Sequence, residues 1–111
     1  MPRYRFDHEA EPDWEPLERL AELYTGHAEL PALDADDFMY MGRTVAKDKP
    51  SIMLYKHIDT RRYLNLDTGG HAYSYRPRPS DRAPEAVTYV AERDLAVAVE
   101  RATNMDWAVT R

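Results

Sequence analysis

The side chains best suited to chemistry lie in residues 56–71, where two histidines occur among cations and a tyrosine. A ribonuclease that works without a metal ion uses such groups: a histidine moves the proton of a 2′-hydroxyl, and arginine or lysine stabilises the pentacovalent phosphate. Under that hypothesis the catalytic residues are His57, His71 and Arg62. Ordinary cross-strand pairs contain the same residue types, so the pattern favours a protein that is not an enzyme.

Residues 56–78 also contain the types of side chain that a binding surface needs. Aromatic rings beside lysine and arginine stack bases and neutralise phosphates, and a basic surface equally suits an acidic protein. The candidate binding residues are Lys56, Arg61, Arg62, Tyr63, Arg76 and Arg78.

Charge is unevenly distributed along the chain. Residues 1–40 carry eleven acidic and three basic side chains, residues 41–79 carry three and eight, and residues 80–111 carry six and four. The acidic segments flank the basic one and would repel a polyanion. We therefore rank a non-enzymatic binding or regulatory module for a protein partner, or for a second copy, above a nucleic-acid-binding protein, and both above a ribonuclease.

Several functional classes lack their signatures. The chain has no cysteine, which excludes disulfides, thiolate catalysis and metal sites built on cysteine. The acidic cluster from Asp34 to Asp37 fails the calcium-loop pattern, because Met39 and Val45 stand where glycine and glutamate are required. We expect no metal ion and no cofactor. Apolar runs are too short for a signal peptide or a membrane span, so we expect a cytoplasmic protein without a membrane partner.

Residues 51–78 hold the strongest β-formers and predict a central sheet. The Gly69-Gly70 pair predicts a two-residue type I′ turn, with positive φ at both glycines. That turn places Tyr73 and Tyr75 on the apolar core face.

A turn at Asp59-Thr60 extends this face to a third strand, with Tyr55 opposite Leu64 and Met53 opposite Leu66. The second face is too mixed for full burial and is the candidate binding face. It is predicted to carry Ile52, Leu54, Lys56, Tyr63, Asn65, Ser74 and Arg76.

Helical patterns bracket the sheet. One helix is predicted from a cap at Asp13 to Gly26, with Pro16 in its first turn. A second is predicted from about Glu92 to Asn104. Residues 38–45 read as a strand in which Gly42 marks a bulge. Residues 86–90 read as either a strand or the first turn of a helix, and the tail at 104–111 is expected to dock back on the body.

Together these elements predict a single α+β domain over residues 1–111. Its sheet is an antiparallel meander of four to five strands with an N-terminal and a C-terminal helix packed on it, and residues 1–10 form an arm or an edge strand. Eight tyrosines and five methionines must supply much of a thin core, so we also expect self-association.

Overall fold

In the part of the chain that the computed structural model describes, residues 5–7, 11–25, 33–45, 49–77 and 87–105, six strands and two α-helices follow one another. The elements are β1 (Arg5–Asp7), α1 (Glu15–Thr25), a short 3-10 helix (Ala35–Asp37), β2 (Phe38–Val45), β3 (Ile52–His57), β4 (Tyr63–Asp67), β5 (Ala72–Pro77), β6 (Val87–Ala91) and α2 (Leu95–Thr103).

All neighbouring strands are antiparallel, and their spatial order β1-β2-β3-β4-β5-β6 follows the chain. The predicted α+β meander is therefore confirmed. The sheet has more strands than predicted because both ambiguous segments contribute an edge strand, β1 within residues 1–10 and β6 at Val87–Ala91. The second of these is decided by pairing with β5, which runs from Tyr73↔Ala91 to Pro77↔Val87.

The first helix begins as its sequence predicts. The side chain of Asp13 accepts a hydrogen bond from the amide of Glu15 at 3.1 Å, and Pro16 lies in the first turn, where no amide is needed. Leu17 and Leu20 of this helix are buried. Asp13 thus provides an acceptor for one of the amides that lack a partner at the start of α1.

The second helix begins at Leu95, three residues later than the predicted Glu92. The carboxylate of Asp94 accepts hydrogen bonds from the amides of Ala96 at 3.0 Å and Val97 at 3.3 Å, which makes Asp94 the N-cap. Asn104 ends the helix, as predicted.

Both helices pack on one face of the sheet, here called the first face. Its centre is Tyr55, which is fully buried beside Trp14 and Tyr40, with ring centroids 5.7 and 5.8 Å away. The Tyr55 hydroxyl donates to the carbonyl of Asp13 at 2.5 Å and so ties the start of α1 to β3. Burial, followed by the nearby charge of Asp13, raises the pKa of Tyr55. The core of this face comprises Leu17, Leu20, Tyr24, Leu33, Phe38, Met53, Tyr55, Leu64, Leu66, Ala72, Ala98, Val99 and Ala102.

The register of β3 and β4 agrees with the prediction. Tyr55 pairs with Leu64 and Met53 with Leu66, across a turn at residues 58–61. On the other side of β3, the pairing with β2 shifts between Tyr40 and Gly42, which confirms the expected bulge.

The predicted type I′ turn after β4 is wrong. The amide of Asp67 donates to the carbonyl of His71 at 3.0 Å, so the loop contains three residues, 68–70, rather than two. Of its glycines only Gly70 has positive φ, at 84°. The Asp67 side chain accepts the amides of Gly69 and His71, both at 2.9 Å, and thereby stabilises the longer loop.

This change moves the β5 register by one residue and reverses its faces. Tyr73 pairs with Asn65, so Tyr73 and Tyr75 lie on the second face instead of in the main core. Ser74 was predicted on the second face, but it lies on the first and bonds to Arg101 of α2 at 2.9 Å.

Gly70→Ala is expected to lower the free energy of unfolding by about 1 kcal/mol, because a Cβ at positive φ strains the backbone. No atom lies within 4 Å of a Cβ built there, so the cost is conformational rather than a clash. At Gly69 the added Cβ would lie 3.2 Å from Nδ1 of the exposed His71. Gly69→Ala should therefore cost less, since an exposed ring can move. Urea denaturation of both variants measures the difference, and equal losses would show that Gly70 is not the position that demands glycine.

Other predictions fall on residues outside the described ranges. They concern the binding role of Arg78, residues 1–4 and 8–10 of the predicted arm, and residues 106–111 of the predicted tail. Among the described residues, no helix is long and apolar enough to cross a membrane.

Candidate binding surface

The second face of the sheet has its own smaller core. Ile52, Leu54 and Tyr89 are buried there, and Met41 and Tyr73 pack against them. None of the buried helix residues belongs to this cluster. Ile52 and Leu54 are thus more deeply buried than a mixed face predicts, whereas other side chains of the same face remain exposed.

A fork opens between β4 and β5. These strands pair only at Asn65↔Tyr73 and Leu66↔Ala72, whereas β4 pairs with β3, and β5 with β6, over five residues each. Beyond the Asn65↔Tyr73 pair, towards Tyr63 and Tyr75, β4 pairs only with β3 and β5 pairs only with β6. On the first face, Ser74 and Arg101 bond with Glu92, which precedes α2, so β5 is tied to the helix. The fork is therefore bounded by Tyr63 on β4 and Tyr75 on β5.

Both bounding tyrosines are exposed on the second face. The exposed fraction is 42% for Tyr63 and 49% for Tyr75. The Nζ atom of Lys56 lies 5.7 Å from the centroid of the Tyr63 ring, within cation–π range. The Tyr75 ring meets Tyr89 edge-on at 5.8 Å. Two aromatic rings, each in contact with a neighbouring side chain, therefore flank the fork. The cation of Lys56 lies over the first of them, Tyr63.

Arg61 stands in the turn before Tyr63 and has an unusual backbone conformation. Its φ is 62°, and it is the one described residue other than glycine with positive φ. The conformation closes the turn, since the Arg61 amide donates to the carbonyl of His57 at 2.9 Å. It costs about 1 kcal/mol for a residue with a side chain. Backbone outliers of this kind cluster at functional sites, and the Arg61 side chain is exposed.

Arg62 does not join this surface. Its Nη1 atom donates to the carbonyls of Arg101 at 3.1 Å and Asn104 at 2.6 Å, and the neighbouring Thr60 hydroxyl donates to the carbonyl of Ala102 at 2.5 Å. These carbonyls belong to the last turn of α2 and its cap, which lack partners within the helix. Arg62 therefore anchors the end of α2 to the β3–β4 turn.

The two histidines are not brought together. His57 lies opposite Arg62 but is buried, and its Nδ1 accepts hydrogen bonds from the amides of Asp59 and Thr60 at 3.2 Å each. His71 is exposed at the other end of β4, with Nδ1 3.3 Å from the Asp67 carboxylate. A five-residue strand spans roughly 15 Å. His57 and His71 therefore cannot act on one phosphate in this arrangement.

Two predicted binding residues remain, Arg76 and Arg78. Arg76 pairs with Thr88 in the β5–β6 ladder, and Arg78 lies outside the described residues. Sequence reasoning missed Tyr75, which it assigned to the core. The signal that could have corrected it is the Asp67 side chain, because an aspartate that begins a glycine-rich turn often accepts amides two residues on.

Among the described residues, no three histidine, aspartate or glutamate side chains are placed to share a metal ion. Comparisons with family models, with curated proteins and with solved structures find no match to this chain.

Proposed function

We propose that the protein is a non-enzymatic binding module that docks an acidic segment of a partner protein on a basic-aromatic patch. The patch consists of Lys56, Arg61, Tyr63 and Tyr75. The observation that carries the proposal is the pair of exposed tyrosines at the fork, with Lys56 held on the Tyr63 ring. Tyrosine and arginine are the residues that most often supply binding energy at the centres of protein interfaces.

Charge favours a protein segment over nucleic acid. Because Arg62 is engaged with α2, the patch offers two cations, Lys56 and Arg61. Two phosphate contacts provide little of the counterion release on which nucleic-acid affinity depends. The chain as a whole has a net charge of −5 and would repel a polyanion beyond the patch. A short acidic segment with apolar side chains suits the mixture of two cations and two rings. The cytoplasmic location stays a prediction.

Lys56→Gln combined with Arg61→Gln is expected to weaken the binding of a short Glu- and Leu-rich peptide about tenfold. Two partly exposed charge contacts of about 0.7 kcal/mol each account for that factor. The measurement is an NMR titration of the folded protein with the peptide, in which the amides of β3, β4 and β5 near the fork should shift.

The matched control is Lys49→Gln with Arg93→Gln. Both residues are exposed, and the pair removes the same charge away from the patch. Peptide affinity should be unchanged in this control. Equal losses in the two double variants would mean that net charge, not the patch, attracts the peptide. Tighter binding of a single-stranded oligonucleotide than of the peptide would favour the nucleic-acid hypothesis, and RNA cleavage in EDTA would favour the ribonuclease.

Arg61→Gly separates the two roles of this position. Glycine relieves the cost of positive φ but makes the unfolded chain more flexible, so we expect a net gain in stability of about 0.5 kcal/mol. The same change removes a cation of the patch and should weaken peptide binding. Thermal denaturation and the NMR titration measure these opposite effects. A variant that is more stable and binds equally well would show that Arg61 is not part of the binding surface.

A further inference from the structure

The exposed side of α1 carries the charge opposite to that of the patch. Residues 11–25 contain five carboxylates and one arginine, and this arginine, Arg19, forms an ion pair with Glu15 one turn earlier. Glu18 and Glu22 are exposed, and no described residue forms an ion pair with either. Glu18 and Glu22 form what is here called the acidic strip.

The acidic strip and the patch cannot meet within one chain. Leu17 and Leu20 of α1 belong to the core of the first face, so the strip faces away from the sheet on that side. Lys56 and Tyr63 pair across β3 and β4 on the second face. The sheet therefore separates the two surfaces, and their complementarity can be satisfied only between molecules.

We propose that the acidic segment bound by the patch is the acidic strip of a second copy of this chain. The inference rests on the proposed function and names its partner. Residues one helical turn apart lie on one side of a helix, about 6 Å apart, so Glu18 and Glu22 present two carboxylates to the two cations of the patch.

The placement of the surfaces determines the symmetry of the assembly. A two-fold dimer would need both surfaces of each copy on the same side, but they lie on opposite faces of the sheet. The contact is therefore heterologous, and each bound pair keeps one unused patch and one unused strip. We expect weak head-to-tail association at about 0.1–1 mM protein. It should weaken above about 0.1 M salt, where the screening length falls to about 10 Å.

Two variants that each lose one surface test this arrangement. The patch variant is Lys56→Gln with Arg61→Gln, and the strip variant is Glu18→Gln with Glu22→Gln. Sedimentation equilibrium at low salt should show a mass that rises with concentration above the 12.9 kDa of one chain for the unmodified protein. Each variant alone should remain a monomer, because it has only one of the two surfaces.

An equimolar mixture of the two variants should form a dimer that grows no further. The intact strip of the patch variant binds the intact patch of the strip variant, and the two remaining surfaces cannot bind. Thermal denaturation of each variant alone checks that both are folded. Growth of the mixture beyond a dimer, or self-association of either variant alone, would contradict head-to-tail binding.

The outcomes separate this inference from the proposed function. If the unmodified protein stays monomeric at low salt and about 1 mM, but its patch binds the Glu- and Leu-rich peptide, the partner is another protein and the inference is wrong. If it neither associates nor binds the peptide, both proposals are wrong. Association that the patch variant retains in full would also overturn the inference, since the contact would lie elsewhere.

Discussion

Asp67→Ala is expected to lower the free energy of unfolding by about 3 kcal/mol. The Asp67 carboxylate is buried and accepts three hydrogen bonds, from the amides of Gly69 and His71 at 2.9 Å and from the hydroxyl of Tyr73 at 2.8 Å. Hydrogen bonds to a charged group contribute about 1.5–3 kcal/mol each but do not add fully. The substitution also leaves the Tyr73 hydroxyl without this acceptor on the second face.

The effect of this carboxylate depends on pH. Burial raises the pKa of Asp67, but the hydrogen bonds from His71, Tyr73 and Gly69 favour the carboxylate more strongly, so its net pKa is lowered. A pKa that is lower in the folded state stabilises the fold above the unfolded value of about 3.9. That contribution is lost as pH falls below about 4 through the folded pKa.

Denaturant titrations of the unmodified protein and of Asp67→Asn, at pH 7 and at about pH 2.5, check this prediction. Asparagine keeps the shape and can still accept the amides, so its cost at pH 7 should be smaller than that of alanine. The difference in stability between Asp67→Asn and the unmodified protein should shrink at the lower pH. A difference that is independent of pH would mean that the charge of Asp67 does not stabilise the turn.

Arg62→Ala is expected to lower the free energy of unfolding by about 2 kcal/mol, without weakening peptide binding by the patch. The guanidinium donates to two carbonyls at the end of α2, and such charge-assisted bonds are worth more than neutral ones. Amide hydrogen exchange in α2 should become faster, because the helix loses an anchor at its C-terminus.

Arg61→Ala is the matched control for this prediction. It removes the neighbouring arginine, which is exposed and has no helix to anchor, so stability should change little while peptide binding weakens. Arg62→Lys should recover only part of the lost stability, because an ammonium group does not reproduce the geometry of the guanidinium. A stable Arg62→Ala variant that no longer binds the peptide would instead place Arg62 in the patch.

The sequence alone determined the order of the elements and much of the sheet register, because these depend on contacts between residues close in the chain. The cap at Asp13, the bulge at Gly42 and the turn at Asp59-Thr60 are local signals, and the structure agrees with each. The β3–β4 register follows from that turn and from the apolar alternation on both strands.

The β4–β5 register was missed because two loop lengths compete at Gly69-Gly70. The glycines permit either, and the Asp67 side chain selects the longer one by accepting amides across the turn. A loop that is longer by one residue shifts the β5 register by one, which exchanges the side chains on the two faces of β5. This step moves Tyr75 from the predicted core to the candidate binding surface.

Tertiary structure decided which cations are available for binding. Arg61 and Arg62 are adjacent and chemically identical, and no local pattern distinguishes them. The arrival of the α2 C-terminus, from residues about forty positions later in the chain, engages Arg62 and leaves Arg61 exposed. The physical reason is that the unpaired carbonyls at a helix end require donors, and which side chain supplies them depends on where the packed helix ends.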